Sequence, residues 1–182
     1  MRVITGTARG RKLKELRGYD TRPTTDRVKE SIFNIIQFDI EGRRVLDLFS
    51  GTGQMGIECL SRGAAHCVFV DQRREAAALV RENLTHTALT DRGRVVQGDA
   101  LAFLHGCREK FDLIFLDPPY AGDMLQNALK TIAAIDIVTG NGIIICESTR
   151  EAELPVLSAP YGQARTYRYG NTSVALYRRA AP

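Results

Sequence analysis

From Arg44 onward, short apolar runs alternate regularly with stretches of helical periodicity. The runs predict strands over residues 45–49, 67–71, 94–97, 111–117 and 142–147, with helices between them over 55–61, 73–84, 100–105 and 124–134. Strictly alternating strands and helices build parallel βαβ units, so the expected fold is α/β with a doubly wound, mostly parallel sheet. The C-terminal pattern differs. Residues 164–169 and 172–177 are separated only by Gly170-Asn171, whose tolerance of positive φ suits a two-residue hairpin, so the sheet should end in an antiparallel pair. At the other end, Arg2-Val3-Ile4 and Arg11-Lys12-Leu13-Lys14-Glu15-Leu16 flank a glycine-containing turn and predict a short basic hairpin, with Leu13 and Leu16 placed to touch the body. Cap residues in Thr21-Arg22-Pro23-Thr24-Thr25-Asp26-Arg27 precede apolar positions Val28, Ile32, Ile35 and Ile36, which predicts a helix starting near Thr24 or Thr25. No repeat, low-complexity tract or linker interrupts the chain. We therefore expect one domain over residues 1–182, with 1–20 as a basic extension and 21–182 as the core.

Composition narrows the setting. The four cysteines, Cys59, Cys67, Cys107 and Cys146, have no C-x-x-C spacing, and three lie in apolar segments, as expected of reduced thiols in a cytoplasm. No apolar run approaches the roughly 20 residues that span a bilayer, and the basic N-terminus lacks a signal peptide's apolar centre. His66, His86 and His105 show no metal-ligand spacing, so no metal is expected. The net charge is +4, and its position matters more than its size. Residues 1–30 hold nine Lys/Arg against four acids, while the remaining 152 hold sixteen against seventeen. A basic arm on a near-neutral body suits a polyanion handled at one edge, because phosphate contacts supply most sequence-independent nucleic-acid affinity. An ordinary solvated charged face remains the other reading.

Chemistry concentrates at strand ends. Leu113-Ile114-Phe115-Leu116 stops abruptly in Asp117-Pro118-Pro119-Tyr120. Proline lacks an N–H and fixes φ, so this turn leaves carbonyls without ladder partners beside one carboxylate and one ring. In an open α/β sheet, ligands bind at the carboxyl ends of strands. Gly51-Thr52-Gly53-Gln54-Met55-Gly56 is a G-x-G-x-x-G after a strand and before a helix, a weak signal alone but a loop that approaches a ligand closely. Asp71, one strand on, is spaced for a carboxylate that bonds ribose hydroxyls. Two further acids argue against a dinucleotide. Asp47 ahead of the glycines would pair with an ammonium and sit badly beside a pyrophosphate, and Gly98-Asp99-Ala100 offers a carboxylate for an adenine amino group. An amine, a diol and an adenine together describe S-adenosylmethionine.

The motifs Asp47-x-Phe49-x-Gly51-x-Gly53, Asp71, Asp99 and Asp117-Pro118-Pro119-Tyr120 resemble the signature of class I S-adenosylmethionine-dependent methyltransferases acting on exocyclic amino groups. More narrowly, Arg22-Pro23-Thr24-Thr25-Asp26-Arg27-Val28-Lys29-Glu30-Ser31-Ile32-Phe33-Asn34, Leu60-Ser61-Arg62-Gly63-Ala64 and the final Tyr169-Gly170 hairpin resemble the bacterial 16S rRNA (guanine(966)-N(2))-methyltransferase family over nearly the whole chain. The resemblance implies a Rossmann-like sheet of seven strands with the last hairpin inserted antiparallel. It implies a cytoplasmic, monomeric enzyme whose substrate is 16S rRNA of the small subunit. It assigns Asp47, Phe49, Ser50, Gly51, Gly53, Asp71, Gln72, Asp99, Ala100 and Thr25 to the cofactor, and Asp117, Pro118, Pro119 and Tyr120 to catalysis. Arg2, Arg9, Arg11, Lys12, Lys14 and Arg22 are the expected phosphate contacts. Gln54-Met55 departs from the family pattern of a small residue and a leucine, which bears on cofactor packing.

The motifs leave alternatives open. The proline turn reads an amino group, so adenine N6 or cytosine N4 in DNA or another RNA would also fit. The glycine pattern by itself would serve an NAD-dependent oxidoreductase. Tyr167, Tyr169 and Tyr177, at alternate strand positions, read as packing rather than as base-stacking platforms.

Overall fold

A computed structural model describes residues 1–16, 26–119 and 123–180. In these residues the elements run α1 (Asp26–Ile35), β1 (Arg44–Leu48), α2 (Gln54–Ser61), β2 (His66–Asp71), α3 (Arg74–Thr87), a 3-10 turn, β3 (Gly93–Gln97), α4 (Ala100–Gly106), β4 (Phe111–Leu116), α5 (Met124–Ile135), β5 (Val138–Thr149), β6 (Arg165–Tyr169) and β7 (Thr172–Arg178). The strands form a seven-stranded sheet in the order β3-β2-β1-β4-β5-β7-β6. β1 to β5 pair in parallel, and β7 runs antiparallel between β5 and β6. The doubly wound sheet and terminal hairpin are those expected from the pattern. The helix start expected at Thr24 or Thr25 lies outside the described residues.

Successive strand side chains alternate between two cores. Val45, Cys67, Phe69, Leu113, Phe115, Ile143 and Ile145 join Ile32, Phe33, Ile57 and Leu60 on one face. Leu46, Leu48, Val68, Val70, Ile114, Leu116 and Ile144 join Leu104, Leu129 and Ile132 on the other. Helices therefore cover both faces, which leaves the carboxyl edge as the open side of the sheet.

One boundary differs substantially from the sequence reading. β5 begins at Val138 rather than at residue 142, because Thr139-Gly140-Asn141-Gly142 forms an irregularity within the paired strand. Phe111 pairs with Val138 and Leu113 already with Ile143, so four residues of β5 bulge opposite Asp112. Thr139 Oγ1 donates to Asp112 Oδ1 at 2.6 Å and holds the bulge. Gly and Asn read as a break, whereas a bulge uses their backbone freedom to continue pairing.

The N-terminal arm forms the expected hairpin, with Arg2 bridged to Lys12 and Val3 N–H donating to Arg11 O at 3.0 Å. It is fastened by polar groups that periodicity does not flag. Glu58 of α2, fully buried, accepts from Ile4 N at 2.8 Å, Thr5 N at 3.0 Å, Arg62 Nε at 2.8 Å and Lys29 Nζ at 3.1 Å. Asn83 of α3, also fully buried, accepts from Lys14 N at 2.8 Å and donates to Thr52 O at 3.0 Å. The arm is thereby tied both to α2 and to the loop after β1.

Candidate active site

The open edge carries a cleft of about 1220 Å³ at the ends of β1, β2, β3, β4 and β5. Asp47, Phe49, Ser50, Gly51, Asp71, Gln72, Asp99, Ala100, Asp117, Pro118 and Pro119 all line it. The expected catalytic and cofactor groups are thus gathered in one place, with acids supplied by neighbouring strands in the order β3, β2, β1, β4. Tyr120, Thr25 and Arg22 lie outside the described residues.

The loop after β1 explains how this is done. Phe49, Gly51 and Gly53 have φ of 68°, 54° and 79°, so alternate residues are left-handed and the chain turns back within a few residues. Ser50 N–H donates to Val70 O at 2.9 Å, and Gly51 N–H donates to Asp71 Oδ2 at 2.9 Å, which fixes the loop to β2. Gly53, expected to contact cofactor, stands between two residues of the cleft wall, Thr52 and Gln54. A Cβ there would stand 3.2 Å from Val80, so this glycine packs the start of α2 against α3. Gly56 is tighter still, since a Cβ would meet the Phe69 ring at 2.3 Å. Its absence lets Gly56 N–H donate to Asp47 Oδ2 at 3.0 Å.

Asp47 is buried against this helix, and burial pushes its carboxyl up to about 7, with the nearby Asp71 charge adding to the effect and the Gly56 amide opposing it. Between the ordinary carboxylate range and pH 7 the folded protein therefore holds a proton that the unfolded chain releases. The contribution to stability falls as pH rises through that window. An ammonium bound at Asp47, as the sequence leads one to expect of the cofactor, needs the ionised form, so its affinity should climb by about tenfold per pH unit below pH 7 and level off above it. Calorimetric titrations from pH 5.5 to 8 would show the slope in the native protein, and Asp47→Asn should abolish it together with most of the affinity.

Asp71 is more engaged than its spacing suggests. Besides Gly51 N–H, it accepts from Arg73 N at 3.0 Å, Arg73 Nε at 3.1 Å and Arg73 Nη2 at 3.2 Å. A diol at this carboxylate would share it with, or displace, the Arg73 fork. Asp99 caps α4 through Oδ1, which accepts from Ala102 N–H at 2.8 Å. A carboxylate has about four acceptor positions, so capping does not exhaust it. Asp117 is half-buried directly after β4, with Pro118 buried and Pro119 exposed at the lip.

Sequence reasoning missed part of the wall. Gln54 and Met55, noted only as departures, line the cleft, as do Thr149, Glu151, Asn171 and Thr172 from the end of β5 and the β6–β7 turn. Those last four are brought in by strand pairing across the sheet, with Thr149 opposite Thr172, and no local signal announces such a contact. The tyrosines pack as expected. Tyr177 is fully buried and Tyr167 and Tyr169 rest against the core.

A parallel sheet in this order, with its antiparallel seventh strand and an acid-rimmed cleft over the glycine loop, makes the protein a class I methyltransferase. A solved structure titled "Putative methyltransferase yhhF from Escherichia coli" superposes with a TM-score of 0.89 at 33% identity, covering 100% of this chain and 99% of that one. The chain belongs to the family described as "Conserved hypothetical protein 95", whose pattern matches residues 1–178. Among its relatives is "Putative rRNA methyltransferase YlbH" of Bacillus subtilis, 44% identical over 182 residues, which span 98% of this chain and 99% of the relative. Another is "Ribosomal RNA small subunit methyltransferase D" of Escherichia coli, 33% identical over 181 residues, 100% of this chain and 91% of the relative.

Proposed function

We propose that the protein transfers a methyl group from S-adenosylmethionine to the exocyclic N2 amino group of a guanine in 16S rRNA, acting as a cytoplasmic monomer on the small ribosomal subunit. The observation that carries this reading is the meeting, in one cleft, of Asp117-Pro118-Pro119 with the buried Asp47 and the glycine loop. One side of the cleft offers acceptors for an amino group, and the other offers a cradle for an amino acid and a nucleoside.

The residues present fit the methyl donor. Gln54 Oε1 and Ser50 Oγ are buried and have no hydrogen-bond partner among the described residues, although both line the cleft. Gln54 Oε1 would accept from the donor's ammonium alongside Asp47, and Ser50 Oγ would donate to its carboxylate near the start of α2. Asp71 would hold the ribose hydroxyls and Asp99 the adenine amino group. When bound, the donor supplies an electrophilic methyl on a sulfonium.

A guanine amino group is a poor nucleophile, because its lone pair is delocalised into the ring. Acceptance of both its N–H bonds, by the Asp117 carboxylate and the Pro118 carbonyl, localises that pair and points it along one direction. Asp117 mainly positions and polarises the amino group, and it is also the group within reach of the proton released after transfer. Tyr120, beyond the described residues, is assigned to stacking on the base, which must leave its helix to enter the cleft.

The arm supports an RNA substrate. Arg2 and Lys12 face each other across the hairpin, an unfavourable pair of like charges unless an anion lies between them, and Arg9 is exposed beside the same turn. Arg11 and Lys14 are partly committed elsewhere, since Arg11 donates to His86 O and Lys14 pairs with Glu82 at 2.9 Å. Arg2, Arg9 and Lys12 are therefore the arm's stronger candidates for phosphate. Few phosphates can be neutralised by so small an arm, which favours a substrate already shaped by ribosomal proteins. Incubation with methyl-labelled cofactor and small subunits lacking the modification should label 16S rRNA much faster than deproteinised 16S rRNA, 23S rRNA or tRNA is labelled. Equal labelling of the other RNAs would overturn the assignment, and equal rates on naked and assembled 16S rRNA would remove the assembled-substrate part.

A further inference from the structure

A second, smaller cavity lies behind the outer edge of the sheet, on the face opposite the arm. It holds about 180 Å³ and is walled by the ends of β5, β6 and β7 and by the segment after β5. At its floor are Ser148 and Ser173, 3% and 4% exposed, whose hydroxyl oxygens have no hydrogen-bond partner among the described residues. Two buried hydroxyls left unpaired side by side are costly, and native proteins keep such groups where something else satisfies them.

Strand register explains their convergence. Ser148 pairs with Ser173 across β5 and β7, and Ser173 pairs in turn with Arg168 across β7 and β6. Directly paired residues share a face, so the three form one row. Arg150, two residues beyond Ser148, continues the same face at the rim, and both Arg150 and Arg168 line the cavity. Among the described residues, neither guanidinium makes an ion pair or a side-chain hydrogen bond. Among the described residues, no acid lines the cavity. Two hydroxyl donors below and two guanidinium forks above constitute a site for a tetrahedral oxyanion. The volume lies below the roughly 300 Å³ at which pockets begin to take whole small molecules, so the fit is to a phosphate group rather than to a nucleotide.

We propose that this cavity binds one phosphodiester of the RNA strand that carries the target base. Alternation along the strands places it beside the active site: Thr149 and Thr172 face the cleft, while their neighbours Ser148 and Ser173 face the cavity. A strand passing over the β5 and β7 ends can thus present a base to one side and a backbone phosphate to the other. The subsite rests on the reading of the substrate as RNA, and it lies on the far side of the sheet from the arm. Together the two would hold the strand on either side of the flipped base.

The test uses the full chain and a fluorescently labelled 16S rRNA fragment, with anisotropy read at several KCl concentrations. Loss of a phosphate contact lowers the slope of log affinity against log salt by about 1. Arg150→Gln/Arg168→Gln should reduce the slope by about 1 relative to the native chain, with cofactor affinity unchanged. Ser148→Ala/Ser173→Ala should fold with an equal or higher Tm, since it removes unpaired hydroxyls, yet bind the fragment several-fold more weakly. Titration with inorganic phosphate should shift the amide resonances of Ser148 and Ser173 in the native protein. An unchanged slope and unchanged fragment affinity in both variants overturns the subsite, even if inorganic phosphate binds, because the cavity is then a site for a free anion. Failure of the native chain to bind both the fragment and small subunits lacking the modification overturns the RNA reading along with it. Methyl transfer does not enter the readout, so an error in the target base leaves this test intact.

Discussion

Asp117→Ala should reduce single-turnover methyl transfer by about two to three orders of magnitude, while S-adenosylmethionine affinity stays within about twofold and the RNA still binds. The size follows from removing one of two fixed acceptors aimed at a group whose charge develops during transfer, for which such losses are typical. The selectivity follows from position. Asp117 comes immediately after β4 at the lip beside Pro118, whereas the groups assigned to the donor's amino acid and nucleoside lie over β1, β2 and β3. Asp117→Asn should fall between, since an amide keeps one acceptor oxygen but also brings a donor to face the amino group. A variant that loses only RNA affinity, with transfer of the bound complex intact, would contradict the assigned role.

Glu58→Ala should destabilise the protein strongly. Its carboxylate sits at 0% exposure between Lys29, also at 0%, Arg62 and two backbone N–H groups of the arm. Removing one partner of a buried pair strands the other, at about 3–5 kcal/mol, against a total stability for a typical domain of about 5–15 kcal/mol. Burial already holds the Lys29 ammonium below its ordinary range, and Glu58 is the main group opposing that shift. Without Glu58 the folded form keeps Lys29 neutral at lower pH than the unfolded chain does. The variant should therefore lose further stability as pH falls from about 10. Urea denaturation at several pH values would measure both effects. Lys29→Met added to Glu58→Ala should recover a substantial part of the loss, and its failure to do so would mean that the arm's amides, rather than the stranded charge, dominate.

The parts that the sequence made legible are those written locally. Acids that terminate apolar runs, a proline pair that ends a strand and glycines between a strand and a helix each carry their physics within a few residues. The cleft is assembled from such signals. Legibility failed where meaning depends on pairing across the sheet. Gly53 reads as a ligand-facing glycine, and nothing local shows that it also packs against Val80 on another helix. The strand read from residue 142 begins at Val138, because residues 139–142 bulge opposite Asp112 within β5. The fork of Arg73 on Asp71 is only two residues away in sequence, yet spacing alone gives no reason to prefer it over a bound diol. Likewise, nothing local marks Ser148 and Ser173 as neighbours, because their row exists only once β7 has been inserted antiparallel beside β5.

Basicity was legible as a total but not as a disposition. Five cations of the arm looked equivalent, whereas Arg11 and Lys14 are drawn onto α3 and three remain toward solvent. The arm also forms part of the cleft wall through Met1 and Leu16, with Asn83 joining it to the glycine loop.

The amino group proposed to lie between Asp117 and Pro118 is N2 of a guanine. Small subunits lacking the modification, incubated with the protein and methyl-labelled S-adenosylmethionine, should yield 16S rRNA whose complete nucleoside digest carries the label in N2-methylguanosine. Label in N6-methyladenosine or N4-methylcytidine, or in no nucleoside of 16S rRNA, would contradict it.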